Sequence, residues 1–187
     1  MTPMPEAAEK PRARKPRAAK SGAAKEAQKA EDVARSYFDA VIARDPNAMA
    51  EHWHPDGVDD LVPVGILRGP DEVRALFDEL FRAMPDFEFV VERVTADERV
   101  AAVQWRASGH FTGGRFQGLE PNGRLVELRG CDCVEVEDGK LVRNTAYYDG
   151  AQFARSIGML PPKDSGAEKA MLAAFNAFTK LRAGLAR

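Results

Sequence analysis

The chain has 187 residues, of which 44% are hydrophobic and 30% are charged, and its formal net charge is −2. That length suits a single domain with attached segments, large enough to bury most of its apolar surface. No stretch has the length and apolarity of a membrane span, and the N-terminus lacks the apolar centre of a secretory signal. We therefore expect a cytoplasmic protein without a membrane partner.

The first 30 residues form a basic tail. They hold eight Lys or Arg and three Glu, with almost no apolar side chain larger than Ala or Pro. Such a segment buries too little apolar surface to offset its ordering entropy, so residues 1–30 are predicted to be disordered. The positive charge would allow weak contact with a polyanion, but a solvated tail is the simpler interpretation, and nucleic acid is not an expected partner.

Three helices are predicted in the first half of the chain. Apolar residues recur at helical spacing over residues 31–43. Asp45-Pro46 then provides an N-cap and a first-turn proline for a short helix through about Trp53. Residues 54–69 are expected to be a loop with short extended pieces. Gly69-Pro70-Asp71 begins a third helix, which ends at Met84-Pro85.

Beyond Pro85 the apolar period changes from 3.6 to 2, which is typical of strands. Asp138-Gly139 is a strong signal for a two-residue hairpin. Helices followed by antiparallel strands indicate an α+β domain, with the helices packed on one face of a curved sheet. The predicted strands cover residues 87–92, 99–111, 125–136 and 141–148.

The hairpin signal also predicts a register between the last two strands. If Asp138-Gly139 is the whole loop, Asp132 faces Thr145 and Leu128 faces Asp149, and opposing residues share one face of the sheet. An apolar wall with a few polar groups is typical of a small-molecule pocket. Asp132 and Asp149 would lie roughly 13 Å apart at strand rise, so a pair of them would act through substrate or solvent. The predicted polar wall consists of Asp132, Arg143, Thr145, Tyr147 and Asp149.

The two cysteines, Cys131 and Cys133, are two residues apart on a predicted strand. They share a face but cannot easily bridge, and they have no His or Cys companions for a metal site. We expect buried, reduced thiols and no metal.

Three segments together resemble the SnoaL-like polyketide (ester) cyclases of the nuclear transport factor 2-like superfamily. They are RGPDEVRALFDELFRAMPDFEF, GHFTGGRFQGLEPNGRLVELRG and EDGKLVRNTAYYDGAQFARSIGMLP. The resemblance covers residues 31–162 and leaves out the tail and residues 163–187. It implies a cone-shaped fold, in which a curved antiparallel sheet wraps around a pocket closed by the N-terminal helices.

The resemblance also implies a chemistry. In these cyclases a pocket carboxylate is the acid–base residue of an intramolecular aldol closure that needs neither metal nor organic cofactor. The strand-end acid of the family pattern falls on Asp149, and a second polar group on the preceding strand falls on Asp132. Related cyclases often read Gly-Thr-His-Thr-Gly where this chain has Gly109-His110-Phe111-Thr112-Gly113, so Phe111 occupies their histidine position.

Two functions from different classes remain open. The first is an enzyme that removes a proton alpha to a carbonyl of a small hydrophobic substrate, with Asp149 and Asp132 as catalytic residues. The second is a non-catalytic carrier or sensor of a hydrophobic ligand. A pocket acid paired with Arg143 would favour binding or structure, and an unpaired one would favour catalysis. Asp149 could instead cap the following helix. The substrate-binding candidates are Trp105, Tyr147, Thr145, Arg143, Phe111 and His54.

The C-terminal segment, residues 163–187, is predicted to be an amphipathic helix with one apolar stripe. A stripe of this kind must be buried on its own domain or on a partner. We expect a homodimer that uses this surface or the outer face of the sheet. The stripe consists of Met171, Phe175, Phe178, Leu181 and Leu185.

Overall fold

The computed structural model describes the backbone of residues 19–185 and the side chains of residues 30–184. The predicted disorder of residues 1–18 lies outside this range. Helix α1 begins at Ala19 rather than at the predicted Glu31, and Ala30 is buried in the core. Residues 19–30, which the sequence assigned to the tail, therefore lie within this helix.

Residues 19–185 contain five helices. Asp45 caps α2 as predicted, because its carboxylate accepts hydrogen bonds from the backbone N–H groups of Asn47 and Ala48. Asp149 caps α4 by accepting from the N–H of Gln152. The helices are α1 (Ala19–Ala43), α2 (Pro46–Glu51), α3 (Gly69–Ala83), α4 (Gly150–Ser156) and α5 (Gly166–Leu185).

In the described part of the chain, six strands form one sheet in the order β2-β1-β6-β5-β4-β3. Neighbouring strands are antiparallel except β1 and β6, which are parallel. The segment expected to be a loop around His54 is strand β1, so the sheet is mixed rather than wholly antiparallel. The strands are β1 (Trp53–Leu61), β2 (Gly65–Arg68), β3 (Glu88–Ala96), β4 (Val100–His110), β5 (Leu125–Glu137) and β6 (Lys140–Tyr148).

The register of the β5–β6 hairpin differs from the prediction by one residue. Val136 faces Leu141 as expected, but the next pair is Glu135 with Arg143, so Val142 is the extra residue of a β-bulge. Asp132 therefore faces Ala146 instead of Thr145. The inward residues of β6 are Asn144, Ala146 and Tyr148, whereas Arg143, Thr145 and Tyr147 point to the other face.

The core lies between the concave face of the sheet and helices α1 and α3. Tyr37 and Val41 of α1 are almost fully buried there, together with Val103 and Val134 of the sheet. Phe89 stacks on Phe38 with ring centroids 5.6 Å apart. Predicting the faces of β4 and β5 from their alternation was correct, because inward residues are buried and intervening polar residues are exposed.

Helix α5 leaves its apolar stripe in solvent. Phe175 and Phe178 are 66% and 58% exposed, and Met171 and Leu181 also point outward. An ion pair between Arg155 and Glu168, 3.0 Å long, ties the start of α5 to α4. Within residues 19–185, no helix is long and apolar enough to cross a membrane.

Candidate active site

A mostly apolar cavity of about 120 Å³ lies between the concave face of the sheet and helices α1 and α3. Aromatic side chains from both layers form most of its wall, because the inward positions of α1, α3, β3 and β4 carry them. The main aromatic wall residues are Tyr37, Phe38, Phe77, Phe89, Trp105 and Tyr148.

Two buried carboxylates share one amide at the polar end of this cavity. Asp59 on β1 and Asp132 on β5 flank Asn144 on β6, the strand between them. The Asn144 Nδ2 donates to Asp59 Oδ1 over 3.0 Å and to Asp132 Oδ2 over 2.8 Å. Trp105 Nε1 donates to the other Asp132 oxygen over 2.7 Å. All three residues of the Asp59–Asn144–Asp132 cluster are less than a tenth exposed.

Burial sets the protonation of the two acids. It raises the pKa of Asp59 to about 8, and the nearby Asp132 charge adds to that rise while the Asn144 hydrogen bond opposes it. Burial raises the pKa of Asp132 to about 6, with hydrogen bonds from Trp105 and Asn144 holding it below that of Asp59. Burial therefore favours the neutral form of both acids, and it does so more strongly for Asp59 than for Asp132.

Two tyrosines line the same cavity. Burial, and then the charges of Asp59 and Asp132, raise the pKa of Tyr37 well above its ordinary value. The same causes, with the Asp132 charge before that of Asp59, raise the pKa of Tyr148 to about 12. Both phenols therefore keep their protons at neutral pH and can act as hydrogen-bond donors.

No Lys, Arg or His belongs to the described lining of the cavity. Arg143, the candidate partner of Asp132, points to the other face of β6 and lies 3.5 Å from Asp60 instead. Across residues 30–184, no group of three or more His, Cys, Asp or Glu side chains could hold a metal ion. Asp132 is therefore buried with neutral hydrogen-bond donors and without a countercharge from the described lining.

Of the residues predicted from the sequence, only Asp132 and Trp105 line this cavity. Asp149 is exposed, and its carboxylate accepts from the N–H of Gln152 over 2.9 Å, as in the alternative interpretation of a helix cap. Tyr147 is 52% exposed on the outer face. The prediction that Asp149 and Tyr147 share a sheet face with Asp132 was wrong. The extra residue Val142 shifts the pairing of β6 by one residue and so exchanges its inward and outward positions.

The remaining candidates also lie elsewhere. Thr145 is half-buried on the outer face of β6. His54 is exposed on β1, where its Nδ1 accepts from the N–H of Asp56. Phe111 is buried in a second apolar cluster with Met84 and Ile157.

Sequence reasoning missed Asp59, Asn144 and Tyr37. Tyr37 was assigned to the helical stripe that packs on the core, and it does pack there while also lining the cavity. Asn144 was missed because the predicted register put it on the opposite sheet face from Asp132. Asp59 lies in a polar stretch, GVDDL, whose one usable signal was the alternation of Gly57, Asp59 and Leu61 along a strand.

Comparisons with known proteins agree with this architecture. A family model for SnoaL-like polyketide cyclases matches residues 31–157. AclR from Streptomyces galilaeus is 23% identical, with a TM-score of 0.62, over 85% of this chain and 95% of that chain. TsrD from Streptomyces laurentii is 20% identical, with a TM-score of 0.62, over 71% of this chain and 97% of that chain.

A LEH-like epoxide hydrolase from M. tuberculosis is 18% identical, with a TM-score of 0.56, over 71% of this chain and 91% of that chain. At these identities the likeness establishes the fold alone. Comparison with curated proteins found no significant match.

Proposed function

Because this chain belongs to the SnoaL-like polyketide cyclase family and has the nuclear transport factor 2-like fold, we propose that it catalyses cofactor-independent acid–base chemistry alpha to a carbonyl. The observation that carries the proposal is the pair of buried cavity acids, Asp59 and Asp132, hydrogen-bonded to one amide. The substrate class is a small hydrophobic carbonyl compound, and the reaction is an aldol closure or an isomerisation.

Asp132 is the general base. Its carboxylate accepts the proton on the alpha carbon, the C–H electron pair becomes the enolate double bond, and the carbonyl π pair moves to oxygen. A pKa of about 6 is near the value at which a carboxylate is both ionised and basic at neutral pH. Trp105 and Asn144 hold the Asp132 carboxylate in place, each on a separate oxygen.

Asp59 is the acid that faces the developing enolate oxygen. A neutral carboxyl group in an apolar site can donate a hydrogen bond to such an oxygen, and the Tyr37 hydroxyl is a second donor of the same kind. The negative charge passes from Asp132 to the substrate while the total charge of the cavity stays the same. The enolate carbon then attacks a second carbonyl of the substrate or is reprotonated at another position.

The missing countercharge favours catalysis over the carrier alternative. A pocket acid paired with an arginine would be fixed in its charged form, with a depressed pKa and little basicity. Asp132 has only neutral partners among the described residues, and its pKa is raised. A carrier of hydrophobic ligands would gain nothing from burying two acids, since each costs free energy without a partner.

Exchange of alpha protons for deuterium tests the proposal without knowledge of the natural substrate. Wild-type protein in D₂O is expected to accelerate loss of the alpha-proton NMR signal of cyclohexanone and of other single-ring ketones. Asp132→Asn should lose about a hundredfold to ten-thousandfold of that acceleration. Asp56→Asn, an exposed acid on the same strand as Asp59, is the control and should exchange like wild type.

Each negative result has a distinct meaning. An Asp132→Asn variant that exchanges as fast as wild type would remove Asp132 from the chemistry. A wild-type protein that binds the ketones but exchanges no proton would show that the carrier alternative is correct.

We also propose that the chain is a homodimer that acts in the cytoplasm. The exposed stripe of α5 is apolar surface that a second copy would cover. The two cysteines are free, which suits a reducing compartment.

A further inference from the structure

The polar end of the cavity has an unbalanced charge. Asp59 and Asp132 are both there, and the described lining contributes no positively charged side chain. Burying a carboxylate without a countercharge is costly, so a ligand that brings a positive charge recovers part of that cost. A ligand that brings a negative charge adds to it.

Hydrogen-bond donors are also scarce at this end. The Asn144 Nδ2 is shared between both acids, and Trp105 Nε1 serves one oxygen of Asp132. The Asn144 Oδ1 is buried and has no hydrogen-bond partner among the residues that the structure describes. A group with several N–H donors can therefore serve the acceptor oxygens that remain at this end, Asn144 Oδ1 among them.

Aromatic rings surround the rest of the space. Trp105 lies between the Phe89 and Tyr148 rings, with centroids 5.2 and 6.3 Å away. The faces of such rings attract cations, and this attraction is strongest where water is excluded. The same rings provide apolar surface for a hydrocarbon body.

The cavity limits the size of its occupant. Its volume of about 120 Å³ is close to that of an engineered apolar cavity of about 150 Å³ that takes up benzene. An occupant with one ring therefore fits, whereas a fused polycycle would have to extend beyond the cavity.

We propose that this cavity binds a small lipophilic ammonium ion, whose charged end lies against Asp59 and Asp132 and whose hydrocarbon body contacts the aromatic wall. Binding of this kind does not depend on the proposed catalysis, because it uses the acids as countercharge rather than as base and acid. Such a ligand occupies the place of the carbonyl substrate and competes with it.

Calorimetry on the full chain with three single-ring probes tests this inference. The probes are cyclohexylamine, its neutral analogue cyclohexanol and its anionic analogue cyclohexanecarboxylate. At about pH 7.5 the amine should bind about tenfold or more tightly than the alcohol, and the carboxylate should not bind. Equal affinity of amine and alcohol, or binding of the carboxylate, would overturn the inference.

The pH dependence provides a second readout on unmodified protein. The titratable groups that face Asp132 are Asp59 from β1, Tyr37 from α1 and Tyr148 from β6; α3 and β4 contribute none to the described lining. Both tyrosines stay neutral below pH 8, and Asp59 is already mainly neutral. Lowering the pH to about 5 therefore protonates Asp132 and should remove most of the amine's advantage. An advantage that persists unchanged at that pH counts against the cavity as the site.

Two variants test whether Asp132 supplies the negative charge that binds the amine. Asp132→Asn should weaken binding of cyclohexylamine about tenfold or more while binding of cyclohexanol changes less than about threefold. Asp56→Asn, which removes an exposed acid, should leave both affinities unchanged. Loss of the amine's advantage in Asp56→Asn, or its survival in Asp132→Asn, would show that the amine binds at the surface.

Discussion

At the scale of single residues, the burial of Asp59 and Asp132 lowers the free energy of unfolding at neutral pH. Their pKa values in the folded chain, about 8 and about 6, lie above the value near 4 of an unfolded aspartate. The folded state therefore binds their protons more tightly than the unfolded state does. The free energy of unfolding should fall as pH rises from about 4. The Asp132 contribution to this fall ends at about pH 6, and the Asp59 contribution ends at about pH 8.

Replacing one of the buried acids should therefore stabilise the fold most at high pH. Asp59→Asn keeps the shape and the acceptor for Asn144 but removes the cost of ionising a buried acid. We expect its melting temperature to exceed that of wild type by several degrees at about pH 8, and by much less at about pH 5. Differential scanning calorimetry at both pH values measures this. Asp56→Asn is the matched control, and a lower melting temperature of Asp59→Asn at the higher pH would contradict the assignment.

Asp149 provides the second prediction. Because its carboxylate caps α4, Asp149→Ala should cost about 1 kcal/mol of stability, and Asp149→Asn, which also caps well, only a few tenths. Urea unfolding distinguishes the two variants. Proton exchange of ketones should be the same in both as in wild type, since Asp149 does not line the cavity. Slow exchange in a stably folded Asp149→Asn would return this residue to the mechanism.

At the scale of elements, periodicity predicted β4 and β5 well because both strands have one buried and one solvated face. The sequence therefore placed Trp105 on the apolar face of β4 and Asp132 on the apolar face of β5. The parallel strand β1 was not predicted, because the alternating inward positions of GVDDL carry Gly57 and Asp59, and neither is the large apolar side chain that usually marks a buried strand face. Asn144 could not be assigned either, because a bulge is a property of strand pairing and leaves no composition signal at Val142.

Close packing of β5 against Trp105 leads to the third prediction. A Cβ atom added at Gly130 would lie 2.5 Å from the Trp105 ring and 2.5 Å from the Tyr147 carbonyl oxygen. Gly130→Ala should therefore displace the indole from Asp132 and cost about 1–3 kcal/mol. Urea unfolding measures that cost, and the alpha-proton exchange rate should fall with it.

A matched control for Gly130→Ala is Gly184→Ala on α5, where nothing lies within 4 Å. That variant should be neutral or more stable by up to about 1 kcal/mol, because alanine favours helix. Wild-type stability and exchange in Gly130→Ala would mean that the Trp105–Asp132 contact is not needed.

At the scale of the whole molecule, the exposed stripe of α5 is apolar surface that a second copy of the chain would cover. Sedimentation of the full chain at tens of micromolar should show a dimer, because five large apolar side chains of α5 lie more than two-fifths exposed. Replacing Phe175 and Phe178 by glutamate should shift the equilibrium to monomer without lowering the melting temperature of the monomer. A dimer that survives both changes would point to the outer face of the sheet, and a wild-type monomer would refute the proposal.

The bulge in β6 has a consequence for how this chain can change over generations. Val142 has no partner in the described pairings with β1 or β5, whereas Leu141 and Arg143 on either side of it do. Loss of its codon would leave Glu135 opposite Arg143 and Val136 opposite Leu141, as they are now. Strand β6 can therefore lose this one residue, between the turn and the site, while Asn144 stays between the two acids. The number of residues between the turn and Asn144 is therefore not fixed by the strand pairing on which the site depends.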